Sequence, residues 1–171
     1  MRKLILACSI LALLAGSALS AAAAQPESTV KRDSPQLAAF KQAIRKKYDM
    51  KEQAFAAHDA ETILTRFYAA DAVSVGEGFG IFKGRSEFRP LYEKAVTEYT
   101  VKVTSVHTVV DGNAGWDWAD FDVMPVDPKE KPFTLAILFL WQKVHGQWIC
   151  KGDFYANGSF RSGKLTTPAA P

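Results

Sequence analysis

Phe133–Val144 (FTLAILFLWQKV), the pair His145-Gly146 and Gln147–Tyr155 (QWICKGDFY) decide the fold class. The first segment is apolar on both faces, as a central strand is. The pair is a tight turn, and the second segment is a partner strand. Outward from this hairpin the two-residue period continues. Val126–Pro132 is a Pro- and charge-rich loop, Trp116–Met124 a long strand, Asp111-Gly112-Asn113 a turn, and Thr100–Val110 a strand rich in Val and Thr.

Before Thr100 the period is helical. Ser34-Pro35 is an N-cap followed by an N1 proline. Leu37, Phe40, Ile44, Tyr48 and Phe55 then mark one face of a helix from Pro35 to Ala57. Lys41, Arg45, Lys46, Lys47 and Lys51 lie mostly off that stripe and read as its solvated face. Asp59 caps a second helix over Ala60–Tyr68 with Ile63, Leu64 and Phe67 inward. Asp71–Val75 is a short strand, and Gly76, Gly78 and Gly80 turn it into Ile81–Lys83. Phe88, Leu91, Tyr92, Ala95, Val96 and Tyr99 lie on one face of a third helix opened by Gly84-Arg85-Ser86. Three helices followed by long hairpin-linked strands give an α+β fold. The helices pack on one face of a curved, mainly antiparallel sheet, which forms a cone around an internal pocket.

The ends of the chain read differently. Arg2 and Lys3, the apolar run Leu4–Leu14 and Ala21–Ala24 form a secretory signal peptide over residues 1–24. That run is too short to span a bilayer, which takes about 20 residues, so no membrane span is expected. Cleavage after Ala24 leaves 171 − 24 = 147 residues, enough for one domain. Residues 25–35 are a flexible lead-in and 161–171 a disordered tail, leaving the domain at 36–160. Removing Arg2 and Lys3 lowers the formal charge from +3 to +1, against the basic surplus of a nucleic-acid binder. Of Cys8 and Cys150 only the second remains, so no intrachain disulfide forms.

Four motifs, in order, resemble a known family: Ala57-His58-Asp59, Tyr68-Ala69-Ala70-Asp71-Ala72-Val73, Lys83-Gly84-Arg85, and the ending from Gly146-Gln147-Trp148 to Asp153-Phe154-Tyr155. They resemble the SnoaL-like branch of the nuclear-transport-factor-2-like superfamily, related to polyketide cyclases and ketosteroid isomerases. The resemblance covers residues 37–160. It implies a cone with an apolar pocket, often in a homodimer, and no single activity.

An isomerase of this fold needs a carboxylate base and two oxyanion donors, a tyrosine and a protonated aspartate. Carried over by spacing, the tyrosine position falls near Lys51 with Tyr48 a turn away. The base falls near Gly76 with Glu77 beside it, and the second donor near Leu138. The resemblance therefore does not carry that triad onto this chain. The candidate acids or bases are Asp153, in the family-like ending, and Glu77. Strict alternation sets Asp153 with Lys151, opposite Trp148, Cys150, Gly152 and Phe154. A β-bulge at Gly152 reverses that parity and turns Asp153 to the Trp148 face.

Trp116-Asp117-Trp118-Ala119-Asp120-Phe121-Asp122 alternates with both tryptophans, Asp120 and Asp122 on one face. It is either a tryptophan-packed core strand with acids at its exposed end, or a tryptophan-lined pocket with an acid at its mouth. The candidate ligand-binding residues are Tyr68, Phe79, Trp116, Trp118, Tyr155 and His107. No metal is expected: there is no H-E-x-x-H, no Cys pair and no close His pair. Gly76-x-Gly78-x-Gly80 lacks the spacing of a phosphate loop and leads into a strand, so no cofactor is expected. The expected partners are a small apolar molecule and a second copy of the chain. Three functions stay open: ligand binding, acid/base catalysis as an isomerase, cyclase or dehydratase, and a dimerisation module with a filled cavity.

Overall fold

A computed structural model describes residues 33–165; the segment read as a signal peptide, most of the one read as a lead-in and the last six residues lie outside the described residues. Helix α1 spans Pro35–Ala56, and the Ser34 side chain accepts the Leu37 amide at its start. Phe40, Ile44, Tyr48, Lys51 and Phe55 form its buried stripe, so Lys51 belongs to the inner face and not to the solvated one. The helix ends where His58 takes a left-handed φ of 55°.

Asp59 caps α2 by accepting the Thr62 amide, but α2 covers only Ala60–Thr62. A π-helical turn, Ile63–Phe67, replaces the rest of the expected helix and buries Ile63, Leu64 and Phe67. Tyr68 already belongs to strand β1, Tyr68–Gly76, which a turn joins to β2, Gly80–Lys83. Helix α3 is Gly84–Glu98. The long strands follow: β3 Tyr99–Asp111, β4 Ala114–Pro125, β5 Phe133–Val144 and β6 Gln147–Ser159. The short β7, Lys164–Leu165, pairs with the end of β6, so part of the segment read as a tail is strand.

The sheet order is β2-β1-β6-β5-β4-β3. Among the described strands only β1 and β6 pair in parallel, which matches the α+β expectation of a mainly antiparallel sheet. One face is packed by the helices through Tyr48, Phe67, Phe139 and Trp141, whose rings contact one another edge-on or tilted. Extra residues in two strands bend the sheet and reset which way its side chains point. In β3 the extra residue is Val106, between the pairs Ser105–Ala119 and His107–Trp118. In β6 it is Lys151, between Trp141–Cys150 and Leu140–Gly152.

Candidate functional site

The bulge at Lys151 settles the orientation of Asp153. Past it, Asp153 shares the inner face with Trp148 and Cys150 and is 3 % exposed, while Phe154 points out and is 51 % exposed. The glycine beside the bulge has a steric reason. A Cβ on Gly152 would lie 2.3 Å from the Val73 carbonyl oxygen of the neighbouring strand.

Asp153 sits at the closed end of a cavity of about 290 Å³ between the sheet, α1 and α3. Phe55, Leu91, Val101, Phe121, Val123 and Ile137 form apolar walls. Lys94, Glu98 and Asn157 also line the cavity, and the buried polar groups gather at one end. Tyr68 donates its hydroxyl to Asp153 Oδ2 and Ser74 donates to Oδ1, each at 2.5 Å. Lys51 Nζ lies 3.0 Å from the Tyr68 hydroxyl oxygen and 3.0 Å from that of Tyr92, donating to both, and the two hydroxyls are 2.8 Å apart. Because Tyr68 spends its proton on Asp153, Tyr92 donates to Tyr68. One chain of hydrogen bonds thus runs from Lys51 through the tyrosines to Asp153.

The electrostatics follow from burial. It pulls the Lys51 ammonium down to about 8, although the Asp153 carboxylate acts against this. It also pushes the Asp153 carboxyl above the ordinary carboxylate range, against the pull of Lys51, Ser74 and Tyr68. Burial, and after it the Asp153 charge, holds the Tyr68 and Tyr92 phenols well above their usual range and takes Tyr155 to about 12. Five aromatic rings surround Lys51 Nζ, the Phe67 centroid nearest at 4.3 Å.

The other sequence candidates divide. Tyr155 lines the cavity and Phe79 stands at its rim, their ring centroids 5.8 Å apart. Glu77 does not reach the cavity. It sits exposed in the β1–β2 turn, where its amide bonds the Tyr155 carbonyl beyond the end of the paired strands. Trp116 and Trp118 lie half-buried on the outer face of the sheet, because the strand pleat gives the inner face to Asp117, Ala119, Phe121 and Val123. His107 is exposed on that outer face and packs tilted against Trp118, their ring centroids 5.1 Å apart.

Neither reading of the tryptophan strand holds. The buried acid is Asp117, which accepts hydroxyl hydrogen bonds from Tyr48, Ser105 and Thr108 at 2.6–2.7 Å. The Val106 bulge aims both Ser105 and Thr108 at it. Asp120 is buried too, held by Ser159, the Phe160 amide and Arg161. Three site groups escaped the sequence reading as functional groups: Lys51, Ser74 and Tyr92. Lys51 had a readable signal, since it fills the gap in the helical stripe between Tyr48 and Phe55.

The model of the SnoaL-like domain matches residues 49–150. The chain belongs to the SnoaL-like family. Among curated proteins nothing matches it. Solved structures show the same fold. A nuclear-transport-factor-2-like protein of unknown function from Pseudomonas putida superposes with a TM-score of 0.61 at 18% identity, over 78% of this chain and 98% of that one. A candidate dehydratase of the same superfamily from Streptomyces avermitilis gives 0.61 at 13%, over 71% and 97%. A protein with a cystatin-like fold from Caulobacter vibrioides gives 0.59 at 10%, over 72% and 92%. In this SnoaL-like chain the family's cone encloses a lysine and an aspartate at one end of an apolar cavity.

Proposed function

We propose that this SnoaL-like protein is exported and binds a small, mostly apolar molecule, with one oxygen function of that molecule held at the Lys51–Asp153 end. The observation that carries the reading is the make-up of the cavity: mostly apolar walls, with the hydrogen-bonded group Lys51, Tyr92, Tyr68, Ser74 and Asp153 at one end, and Lys94, Glu98 and Asn157 also in its lining. A volume of about 290 Å³ lies at the small end of ligand pockets, about 300–1,000 Å³. The family often binds small hydrophobic ligands or acts on them as isomerase, cyclase or dehydratase.

Extraction of the exported protein and mass spectrometry of what it releases tests this. A small apolar molecule bearing an oxygen is expected, and Leu91→Trp, which fills the cavity, should remove it. An empty wild-type protein that binds no apolar probe, with Leu91→Trp indistinguishable from it, leaves the dimerisation reading.

A second reading, proton transfer, draws on Asp153 itself. A carboxylate beside an apolar cavity takes a proton from carbon more readily than a solvated one. Lys51 and Tyr92 are donors for an oxyanion that forms beside it. Turnover of the released molecule that is lost in Asp153→Asn, with binding retained, would support an isomerase, cyclase or dehydratase.

A further inference from the structure

We propose that Lys51 is an amine nucleophile, and that the molecule taken into the cavity is an apolar aldehyde or ketone that it holds as a protonated imine. This rests on the binding reading above and names the ligand class for the same site.

The geometry supplies each part of the chemistry. Lys51 is 1 % exposed, yet it lines the cavity. Its Nζ donates to the Tyr68 hydroxyl oxygen, and that hydroxyl donates to Asp153. Moving one proton along each bond turns the ammonium and carboxylate into a free amine and a carboxylic acid. Burial favours this neutral pair at both ends, lowering the lysine to about 8 and raising the aspartate. A desolvated lysine of this kind is an activated nucleophile.

The step balances without a co-reactant. The amine lone pair forms a C–N bond to the carbonyl carbon, the C=O π pair moves to oxygen, and that oxygen takes the Asp153 proton. The nitrogen returns one proton to Asp153. Asp153 then protonates the new hydroxyl, the C–O bond breaks, water leaves, and the nitrogen lone pair closes C=N. The net change is ammonium plus carbonyl to iminium plus water. The iminium keeps the positive charge where the ammonium stood, within 4.3–5.3 Å of five ring centroids that stabilise a cation. Lys47 is also lowered by burial, but it is only half-buried and bonds the Arg66 carbonyl, outside the cavity.

The test is reductive trapping of the purified protein with 3-phenylpropanal and sodium cyanoborohydride at pH 7, read by peptide mapping. The expected result is a single adduct on the Lys51 peptide. It should form at least tenfold faster than on any exposed lysine and be suppressed by 3-phenylpropanol, which has the same shape and no carbonyl. Lys51→Arg should lose it; if that variant does not fold, the wild-type map decides alone. Adducts confined to exposed lysines while 3-phenylpropanol still raises the melting temperature would overturn the imine and leave the binding reading standing. Adducts confined to exposed lysines with no effect of 3-phenylpropanol would overturn both.

Discussion

Lys51 and Asp153 are opposite charges joined through one tyrosine hydroxyl inside an apolar core. Removing either leaves the other uncompensated, whereas removing both leaves neither. Lys51→Met and Asp153→Asn should each destabilise the fold. The double substitution should cost less than their sum by about 1–3 kcal/mol, and strict additivity in urea unfolding would show the two are not coupled. Lys51 also sets a pH dependence. Its folded pKa of about 8 lies below the ordinary lysine value of 10.5, so the unfolded chain holds more protons between them. Its contribution to stability is therefore full above 10.5 and is lost as pH falls through 8, with a slope of at most about 1.4 kcal/mol per pH unit. The raised Asp153, Cys150 and tyrosine groups work the other way as pH rises. The difference between wild type and Lys51→Met isolates the lysine. It should move in favour of wild type from pH 8 to 10, and a flat difference would mean that Lys51 stays charged in the fold.

At the scale of the element, the site depends on an extra residue in β6. Gly152 permits it because Val73 leaves no room for a side chain. Gly152→Ala must push β1 and β6 apart. It should destabilise the protein by about 1–3 kcal/mol, the range for overpacking a tight contact. An unchanged urea midpoint would show that the strands yield freely. Deleting Lys151 is the sharper probe: it removes the extra residue, and strict alternation from Cys150 through Gly152 then leaves Asp153 on the inner face. Ligand binding should then be retained along with the strand content in circular dichroism.

At the scale of the whole molecule, the outer face of the sheet carries a row of side chains that the helices do not cover. Phe154, Leu138 and Trp118 are register partners across β6, β5 and β4, and His107 extends the row onto β3. A second copy packed on this face would bury them, as the apolar character of β5 on both faces anticipates. The expected mass by light scattering at micromolar concentration is that of a dimer, and Leu138→Lys should shift it to the monomer. A monomer mass for the wild type would count against the pairing. The export reading predicts a mature N-terminus at Gln25 or within a few residues, checked by N-terminal sequencing of exported protein; retention of Met1–Leu14 would defeat it.

Though not the π-helical turn Ile63–Phe67 or the strand Lys164–Leu165, the sequence by itself determined the type of every long element, their order in the chain, the family resemblance and the α+β cone. These rest on local periodicity, caps and turns, which each segment carries in its own residues. It also carried Asp153 and Tyr68, through the family-like motifs. Tertiary structure alone decided which acid faces inward, because parity along a strand changes at a bulge, and the bulge in β6 comes from where β1 and β5 lie against it. It alone turned Trp116, Trp118 and His107 to the outer face and buried Asp117 and Asp120 under hydroxyl and arginine partners from other elements. Lys51 falls between the two. Its place in the stripe of α1 was legible, but a lysine is buried only when distant groups receive its charge, and Tyr68, Tyr92 and Asp153 come from three other elements.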